Sequence, residues 1–258
     1  MIRLLLTIAC LWLLGGCASA LPVEIGRSVG GVPVVGENHG RGRSRVYIIG
    51  QIHGNEPEGF AAVDQVRRVL RDHPGVRVRL VPTMNPDGHS AATRGNARGV
   101  DLNRNWPASN FTPAPDRGNA PLSEPETEAV YADLMRFKPD LLIVLHSIRS
   151  GGPFVNFDGP EPAGEFARAF AEAAARGDPR WRVVPSMGYP TPGSLGTFAG
   201  TDLRTPILTI EFERGHGPEE ARRAVSAGLG SVLRRLGERT HRAFDRPPTV
   251  ATTRGEPR

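Results

Sequence analysis

Short apolar runs alternate with polar, turn-rich stretches along most of this chain. Runs rich in branched and aromatic residues predict buried strands, and these lie at residues 45–50, 76–82, 141–145 and 206–210. Apolar residues near helical spacing predict helices, which we place at residues 57–72, 123–137, 161–176 and 218–237. Strands that alternate with helices are typical of an α/β fold, and 258 residues are enough for one large domain of this class.

Turn signals add three local predictions. Residues 23–29 and 32–37 are predicted to form a hairpin around Gly30-Gly31. The segment Ser123-Glu-Pro-Glu126 has the spacing of a capping box that opens the helix ending near residue 137. Residues 85–122, rich in Gly, Pro and Asn, are predicted to form one long loop. Such loops inside compact domains are usually functional.

Side chains that can bind a metal ion follow two of the predicted strands. His53-Gly-Asn-Glu56 comes after the run at 45–50, and His146 comes after the run at 141–145. If these strands are parallel, the three side chains meet at the sheet edge where open α/β folds bind ligands. Two histidines and one glutamate are a usual ligand set for catalytic zinc. Each motif is nevertheless common without a metal, because a histidine ending an apolar strand is often a core residue.

Several further motifs, in the same order along the chain, resemble those of the zinc carboxypeptidases of the carboxypeptidase A type. They are Asn85-Pro-Asp-Gly88, Gly99-Val-Asp-Leu-Asn-Arg-Asn-Trp106, His146-Ser147 and Thr209-Ile-Glu-Phe212. The resemblance covers roughly residues 23–236. It implies a single domain with a mixed, mostly parallel twisted sheet and helices on both faces. It also implies one zinc ion per chain, with His53, Glu56 and His146 as the ligands.

The same resemblance implies roles for the residues around the metal. Asn103 and Arg104 would hold the terminal carboxylate of a peptide substrate, which suits the planar guanidinium group. Arg94 would polarise the scissile carbonyl, although Arg98 in the same loop is a rival. Glu211 would act as the general base that takes a proton from zinc-bound water.

Three positions near these motifs have alternative interpretations. Glu213 lies two residues after Glu211, so a continuing strand would place both on one face, and we interpret Glu213 as a solvated charge. Tyr189 occupies about the place of the family's substrate-capping tyrosine, and the competing interpretation is a tyrosine packed in a loop. Leu195 would line the floor of the specificity pocket.

Within the family, the short chain and the segment around Gly188-Tyr189 resemble bacterial murein tripeptide amidases most closely. The resemblance implies cleavage of the γ-D-glutamyl–diaminopimelate bond in peptidoglycan peptides. Diaminopimelate has an extra amine and an extra carboxylate, so its recognition needs further polar groups. Arg149 and Arg204 are candidates, and the alternative for each is a side chain that simply faces water. We also consider a deacylase of the succinylglutamate desuccinylase and aspartoacylase type, or an inactive peptide-binding lipoprotein.

The first 20 residues have the pattern of an export signal. A basic residue precedes an apolar run that is too short to span a membrane comfortably. Leu14-Gly-Gly-Cys17 resembles a lipobox, in which Cys17 becomes a lipid anchor. Cleavage after Ala18-Ser-Ala20 is the alternative. We therefore expect an exported, periplasmic lipoprotein that is a monomer, with a catalytic domain at residues 21–240 and a disordered tail at 241–258.

Charge and cysteine content bear on two further questions, whether the protein binds nucleic acid and whether it contains a disulfide. The formal net charge is +5, and Lys138 is the sole lysine in an arginine-rich chain. Basic residues do not alternate with aromatic ones in a stripe, so nucleic acid is not expected as a partner. Both cysteines, Cys10 and Cys17, fall in the leader, so we expect no disulfide in the folded domain.

Overall fold

The computed structural model describes residues 22–215 and 217–245, with side chains described as far as residue 240. The predictions for residues 1–20 lie outside the described residues. Within the described part of the chain, no helix is both long and apolar enough to span a membrane. The eight strands are β1 (Pro22–Arg27), β2 (Pro33–His39), β3 (Arg45–Ile49), β4 (Arg77–Val81), β5 (Leu141–Ile148), β6 (Phe154–Asp158), β7 (Arg182–Val184) and β8 (Ile207–Glu213).

The helices lie between these strands or after them. They are α1 (Pro57–Ala61), α2 (Val63–Asp72), α3 (Pro86–Ala91), α4 (Pro125–Phe137), α5 (Ala163–Ala174) and α6 (Gly217–Asp245). A 3₁₀ turn spans Leu102–Arg104, and a π-helical segment spans Thr197–Asp202.

All eight strands form one mixed sheet in the order β1-β2-β4-β3-β5-β8-β6-β7. The central strands β4, β3, β5 and β8 are parallel to their neighbours within this group. The β1–β2, β2–β4 and β6–β8 pairs are antiparallel, whereas β6 and β7 are parallel. This arrangement confirms the mixed, mostly parallel sheet expected from the resemblance.

Helices cover both faces of this sheet because successive residues of a strand point to opposite faces. Val46 and Ile48 of β3 join a buried cluster that includes residues of α2, α5 and α6. Tyr47 and Ile49 join a second buried cluster that includes residues of α4. The central strands are thus buried on both sides, as parallel strands in α/β folds usually are.

The strands that carry site residues are longer than their apolar runs predicted. Strand β5 continues to Ile148 and β8 continues to Glu213, so His146 and Glu211 lie inside strands and not after them. The register pairs His146 directly with Glu211. The predicted hairpin is confirmed as β1 and β2, but the short strands β6 and β7 were not predicted.

Several predicted boundaries are wrong for local reasons. The helix expected at 57–72 breaks at Ala62, whose N–H is shared between the carbonyls of Glu58 and Gly59. The capping box at 123–126 does not form, because the Ser123 hydroxyl donates to the Glu124 carboxylate and Glu124 takes the N-cap position.

Two longer segments also differ from the prediction. The segment 85–122 is not one loop, since α3 and the 3₁₀ turn lie within it. Helix α6 continues through the first five residues of the predicted disordered tail.

Candidate active site and metal centre

The turn that carries His53 and Glu56 is held by the Asn85-Pro-Asp-Gly88 motif. The Asn85 side chain caps α3 by accepting from Gly88 N at 2.9 Å, and it donates to the Ile52 carbonyl at 3.1 Å. Gly54 is needed here, because a Cβ at this position would lie 1.9 Å from the carbonyl carbon of Gly88. Pro57 then opens α1, so the turn places His53 and Glu56 at the carboxyl end of β3.

The three predicted metal ligands converge. One ligand atom of each of His53, Glu56 and His146 lies within 4.8 Å of the other two, and all three residues are buried. His146 Nδ1 lies 2.8 Å from Glu56 Oε2, and His53 Nδ1 lies 2.9 Å from Glu56 Oε1.

The state of the His53 ring shows that this donor set fits a metal ion. His53 Nδ1 is buried without a well-directed hydrogen bond, despite its short distance to Glu56. A buried polar nitrogen of this kind normally has a partner. Two imidazoles and one carboxylate facing a common point are the usual protein ligands of a catalytic zinc ion.

Asp101, for which no sequence motif predicted a role, orients the first of these imidazoles. His53 Nε2 donates to Asp101 Oδ1 at 2.9 Å, which leaves Nδ1 to face the centre. Asn103 N donates to the same oxygen at 2.8 Å, and Arg94 Nε donates to Oδ2 at 2.9 Å. Metal-binding histidines commonly donate their other ring N–H to a carboxylate in this way. The only available signal was that Asp101 stands two residues before Asn103 in the same motif.

The buried carboxyl groups of the site have displaced pKa values. Burial alone would raise the pKa of Glu56, but hydrogen bonds with His146 and His53 outweigh it and hold that pKa well below its usual range. Burial likewise opposes the charge of Asp101, and its hydrogen bond with His53 holds its pKa low. The pKa of His53 is raised, because hydrogen bonds with Asp101 and Glu56 exceed the opposing effect of burial. The walls of the centre are therefore anionic, as cation binding requires.

Glu211 differs from these partnered acids. It is 9% exposed on β8 and lines the same cavity as His53, Glu56 and His146. Burial raises the pKa of its carboxyl group, the nearby His146 ring opposes this, and the negative charge of Glu56 adds to it. A carboxylate with a raised pKa beside a metal centre is suited to accept and return a proton.

The rival position Glu213 lies outside the cavity. Its carboxylate is 2.5 Å from the Arg180 guanidinium, and its side chain is 20% exposed. Our interpretation of Glu213 as a solvated charge is therefore wrong, since the residue is mostly buried in an ion pair. Glu211 lines the cavity and Glu213 does not, which agrees with the choice of Glu211 as the candidate general base.

The predicted carboxylate clamp lies on the 3₁₀ turn. Asn103 Oδ1 accepts from Leu195 N at 3.0 Å, and Asn103 Nδ2 lies 3.4 Å from His146 Nε2. Arg104 donates to the Asn103 carbonyl at 2.7 Å. Gly193 has a φ of +67° and packs so closely that a Cβ would lie 2.2 Å from the Arg104 carbonyl oxygen. Asn103 and Arg104 both line the cavity that contains the metal ligands.

The structure separates Arg94 from its rival Arg98. Arg94 lines the cavity, and its guanidinium lies 3.3 Å from Glu56 Oε1. Arg98 pairs with Glu124 at 3.5 Å and does not line the cavity. A second arginine, Arg214, also reaches Glu56 Oε1 at 3.1 Å, and no sequence motif predicted this contact.

Tyr189 lies at the mouth of the cavity. It lines the cavity and is 56% exposed, so the alternative of a tyrosine packed inside its loop is wrong. The two arginines proposed to recognise diaminopimelate lie elsewhere. Arg149 and Arg204 are exposed and neither lines the cavity, which agrees with the alternative that both face water.

Leu195 does not line the specificity pocket. Its side chain is 1% exposed and belongs to the buried cluster between the sheet and α4. Its backbone N–H holds Asn103, and its neighbours Ser194 and Gly196 line the cavity instead. The error arose because the sequence does not show which way each side chain of this irregular segment points.

The cavity as a whole is polar and has a volume of about 280 Å³. It combines a candidate metal centre, a glutamate without a hydrogen bond or ion pair among the described residues, and a guanidinium–amide pair within one open space. This arrangement can bind a carboxylate at one end of a substrate and supply a base beside a neighbouring carbonyl group.

Comparisons with known proteins agree with this chemistry. The family model described as zinc carboxypeptidase matches residues 20–157. The murein peptide amidase A of Escherichia coli strain K12 is 31% identical over 227 residues, which are 81% of this chain and 88% of the relative. The murein peptide amidase A of Vibrio campbellii is 28% identical over 207 residues, which are 74% of this chain and 79% of the relative.

A solved structure supports the same conclusion. The murein-tripeptide amidase of Escherichia coli O157 superposes with a TM-score of 0.64 at 27% identity, covering 83% of this chain and 91% of that chain. The family model and the relatives agree with the converging His-Glu-His set. This chain is a metal-dependent hydrolase that belongs to the zinc carboxypeptidase family.

Proposed function

We propose that this protein hydrolyses the amide bond between γ-D-glutamate and diaminopimelate in peptidoglycan peptides. The observation that carries the proposal is that Arg104 and Asn103 share one polar cavity with Glu211 and the metal ligands. The relatives named murein peptide amidase support the choice of substrate, since they match most of this chain.

The free carboxylate next to the scissile bond binds Arg104 and Asn103. A guanidinium group matches both oxygens of a carboxylate, and the Asn103 amide is already held by Leu195 N at 3.0 Å. This fixes the position of the amide relative to Glu211. Holding reacting groups in place in this way lowers the entropic part of the barrier.

The zinc ion, when bound by His53, Glu56 and His146, supplies Lewis-acid activation of water and of the scissile carbonyl. Glu211 takes up a proton from the attacking water and delivers it to the leaving nitrogen. Burial raises the pKa of Glu211, which brings the carboxyl group closer to the pH at which it can perform both transfers.

Two further residues act on the substrate from the rim of the cavity. Arg94, which lines the cavity, donates to the carbonyl oxygen as negative charge develops there. Electrostatic stabilisation of this kind often dominates acyl transfer. Tyr189, exposed at the mouth, closes over the bound peptide and donates its phenol proton in a hydrogen bond to the substrate.

Product analysis of defined muropeptides tests this function. Purified protein with zinc should release free diaminopimelate from L-alanyl-γ-D-glutamyl-diaminopimelate, as identified by mass spectrometry. Release of only the terminal D-alanine from the corresponding tetrapeptide would identify a conventional carboxypeptidase instead. Hydrolysis of N-acylamino acids without cleavage of the tripeptide would support the deacylase alternative.

A pair of matched variants tests the assignment of the base. Glu211→Gln should lower kcat by about 10²- to 10⁴-fold, the usual contribution of general acid–base catalysis, with zinc still bound. Glu213→Gln makes the same chemical change two residues along the strand, outside the cavity, and should leave kcat close to the wild-type value. Normal turnover by the Glu211→Gln protein would refute the assignment.

We also propose that the protein is exported to the periplasm and anchored there through a lipid on Cys17. The apolar leader and the Leu14-Gly-Gly-Cys17 segment support this proposal. Cells supplied with labelled palmitate should incorporate the label into the wild-type protein and into the Cys10→Ala variant. Equal labelling of the Cys17→Ala variant would refute the anchor. The expected monomeric state stays a prediction.

A further inference from the structure

A basic residue lies at or just before the start of each of the parallel strands β4, β3, β5 and β8. Arg77 begins β4 opposite Arg45, which begins β3. Lys138 follows α4 and precedes β5, and Arg204 precedes β8. These strands begin at one edge of the sheet, which we call the amino edge, and together they span about 14 Å. The amino edge lies opposite the edge that carries the metal ligands and Glu211.

Three of these cations are exposed and have no side-chain partner among the described residues. No described residue forms a hydrogen bond or an ion pair with the side chain of Arg77, Lys138 or Arg204. Arg45 pairs with Asp140 at 3.8 Å. The edge therefore presents positive charge to the solvent.

Other acids near the amino edge do not cancel this charge. Asp72 ends α2 shortly before β4, and the exposed Arg41 lies at the same turn, because its N–H donates to the Pro74 carbonyl at 3.1 Å. Asp202 accepts from Ser109 N at 2.8 Å and from Ser109 Oγ at 2.7 Å. With one further cation beside Asp72, the amino edge keeps a net positive charge.

An apolar groove of about 320 Å³ lies between the cations of the amino edge. Arg45 and Lys138 line it, together with Met135 and Leu203, which are 38% and 39% exposed. Exposed apolar side chains with a polar border mark interaction surfaces. Cations beside apolar side chains suit an anionic lipid surface, because the cations pair with the headgroups while the apolar groups enter the acyl boundary.

The position of the first described strand allows a lipid anchor to reach this edge. Strand β1 is antiparallel to β2, and β2 is antiparallel to β4, so β1 starts on the same side of the sheet as β4. Pro22 lies opposite Glu37, which lies opposite Leu80, and Leu80 is about 10 Å along β4 from Arg77. The chain from Cys17 to Pro22 can span at most about 17 Å, which is enough to reach the amino edge.

We propose that the amino edge of the sheet docks on an anionic phospholipid surface. Arg77, Lys138 and Arg204 pair with the headgroups, and Met135 and Leu203 enter the acyl boundary. The role of this surface in orienting the enzyme rests on the proposed anchor, whereas its binding to lipid does not.

Docking in this way turns the cavity away from the lipid. His146 lies on β5 about 17 Å from Leu141, the first residue of that strand. The cavity therefore opens on the side from which peptidoglycan peptides arrive under the proposed function.

Binding to vesicles tests the docking without the anchor. Every protein in this experiment carries Cys17→Ala, so no acyl chain contributes and the rest of the leader is the same in each. Vesicles of phosphatidylglycerol and phosphatidylcholine in equal amounts are compared by sedimentation with vesicles of phosphatidylcholine alone. The anionic vesicles should be bound about 100-fold more tightly, since each cation near such a surface contributes about fivefold. Equal binding to both kinds of vesicle would overturn the proposal.

Matched charge variants locate the surface. Arg77→Gln combined with Lys138→Gln should weaken binding to anionic vesicles by about 25-fold. The control combines Arg176→Gln and Arg223→Gln, which follow α5 and lie near the start of α6, towards the opposite edge of the sheet. The control should bind nearly as the parent does, because charges beyond a Debye length from the lipid are screened. Equal losses in the two double variants would indicate a response to net charge alone and would refute the docking surface.

A second matched pair tests the apolar part. Leu203→Ser should weaken binding to anionic vesicles by about three- to tenfold, the worth of the exposed part of a leucine side chain. Val32→Ser is the control, because Val32 is 44% exposed between β1 and β2, on the far side of the sheet. Sedimentation equilibrium of the protein alone should show that Leu203→Ser leaves the oligomeric state unchanged. A dimer that Leu203→Ser dissociates would assign the groove to a second copy of the chain and contradict the proposal.

Hydrogen exchange gives the orientation of the docked protein. Anionic vesicles should slow exchange at residues 134–139 and 203–205 and leave residues 187–195, at the mouth of the cavity, unchanged. Slower exchange only at the mouth would rule out the proposed orientation. These measurements need no substrate, so failure to cleave the tripeptide would refute the proposed function and leave the docking result unaffected. Failure to bind anionic vesicles would overturn the docking while hydrolysis of the tripeptide stood.

Discussion

Replacing Asp101 with asparagine removes one negative charge from behind His53 while almost preserving the size of the side chain. In the wild-type structure Asp101 accepts from His53 Nε2 at 2.9 Å, from Asn103 N at 2.8 Å and from Arg94 Nε at 2.9 Å. Asparagine can accept at only one of its two terminal atoms, so the His53 or the Arg94 contact is lost. If its NH₂ group faces Nε2, the ring proton is driven to Nδ1, the atom that faces the metal centre.

The expected change in zinc affinity of the Asp101→Asn protein follows from these contacts. A hydrogen bond to a charged group contributes about 1.5–3 kcal/mol. Loss of the group that supports a metal-binding histidine typically weakens metal affinity by about 10- to 100-fold. At about 1.4 kcal/mol for each factor of ten, the two estimates agree. We therefore expect the zinc dissociation constant of the Asp101→Asn protein to rise by about 10- to 100-fold.

Competition with a coloured chelator measures this change directly. The Asp64→Asn variant, altered at an exposed position on α2, serves as the control and should bind zinc as the wild-type protein does. Thermal unfolding in excess chelator reports whether the metal-free fold is intact. Unchanged zinc affinity in a folded Asp101→Asn protein would refute the view that Asp101 sets the ring state of His53.

Two further predictions concern the clamp and the acid stability of the fold. Arg104→Lys should lower kcat/KM by about 10- to 100-fold, mainly through KM, because an ammonium group cannot form the two parallel bonds of a guanidinium group. A peptide with its clamped carboxylate amidated should show little difference between the two proteins, and an equal loss on that peptide would contradict the prediction. Burial raises the pKa of Glu37, but hydrogen bonds with His39 and Arg67 lower it from 4.5 to about 2. The resulting stability is present above pH 4.5 and is lost as the pH falls towards 2. Because Arg67 is one-third exposed, we expect this loss to be about 1–2 kcal/mol. Urea unfolding between pH 7 and pH 3 should show a smaller loss for Glu37→Gln, and identical curves would contradict the assignment.

The metal ligands were predictable from the sequence because long apolar runs predict the strands next to which they lie. His53, Glu56 and His146 each lie at or near the carboxyl end of such a run, where the topology of an α/β sheet brings ligands together. The sequence did not show that β5 and β8 continue through His146 and Glu211. Polar residues inside a strand interrupt the apolar pattern that marks it, so the predicted ends came too early.

Other parts of the site depend on contacts that no local pattern records. Asp101 binds a histidine that is 48 residues away in sequence. Asp158, which lines the cavity, ends a five-residue strand that is too short to be predicted from alternation. Leu195 was wrongly assigned to the pocket because its irregular segment turns the side chain into the core. These positions are set by tertiary packing, which overrides local propensity.

The direct pairing of His146 with Glu211 on adjacent parallel strands has a mechanical consequence. Neighbouring strands are about 4.8 Å apart and cannot slide without breaking several ladder hydrogen bonds together. A metal ligand and the proposed proton carrier therefore lie on one rigid pair of strands, whereas Tyr189 lies on a segment outside the sheet. Exchanging that outer segment would change which peptide is accepted while the metal ligand and the base kept their spacing. Engineering of new substrate preferences should accordingly start with the segment around residue 189 and leave β5 and β8 intact.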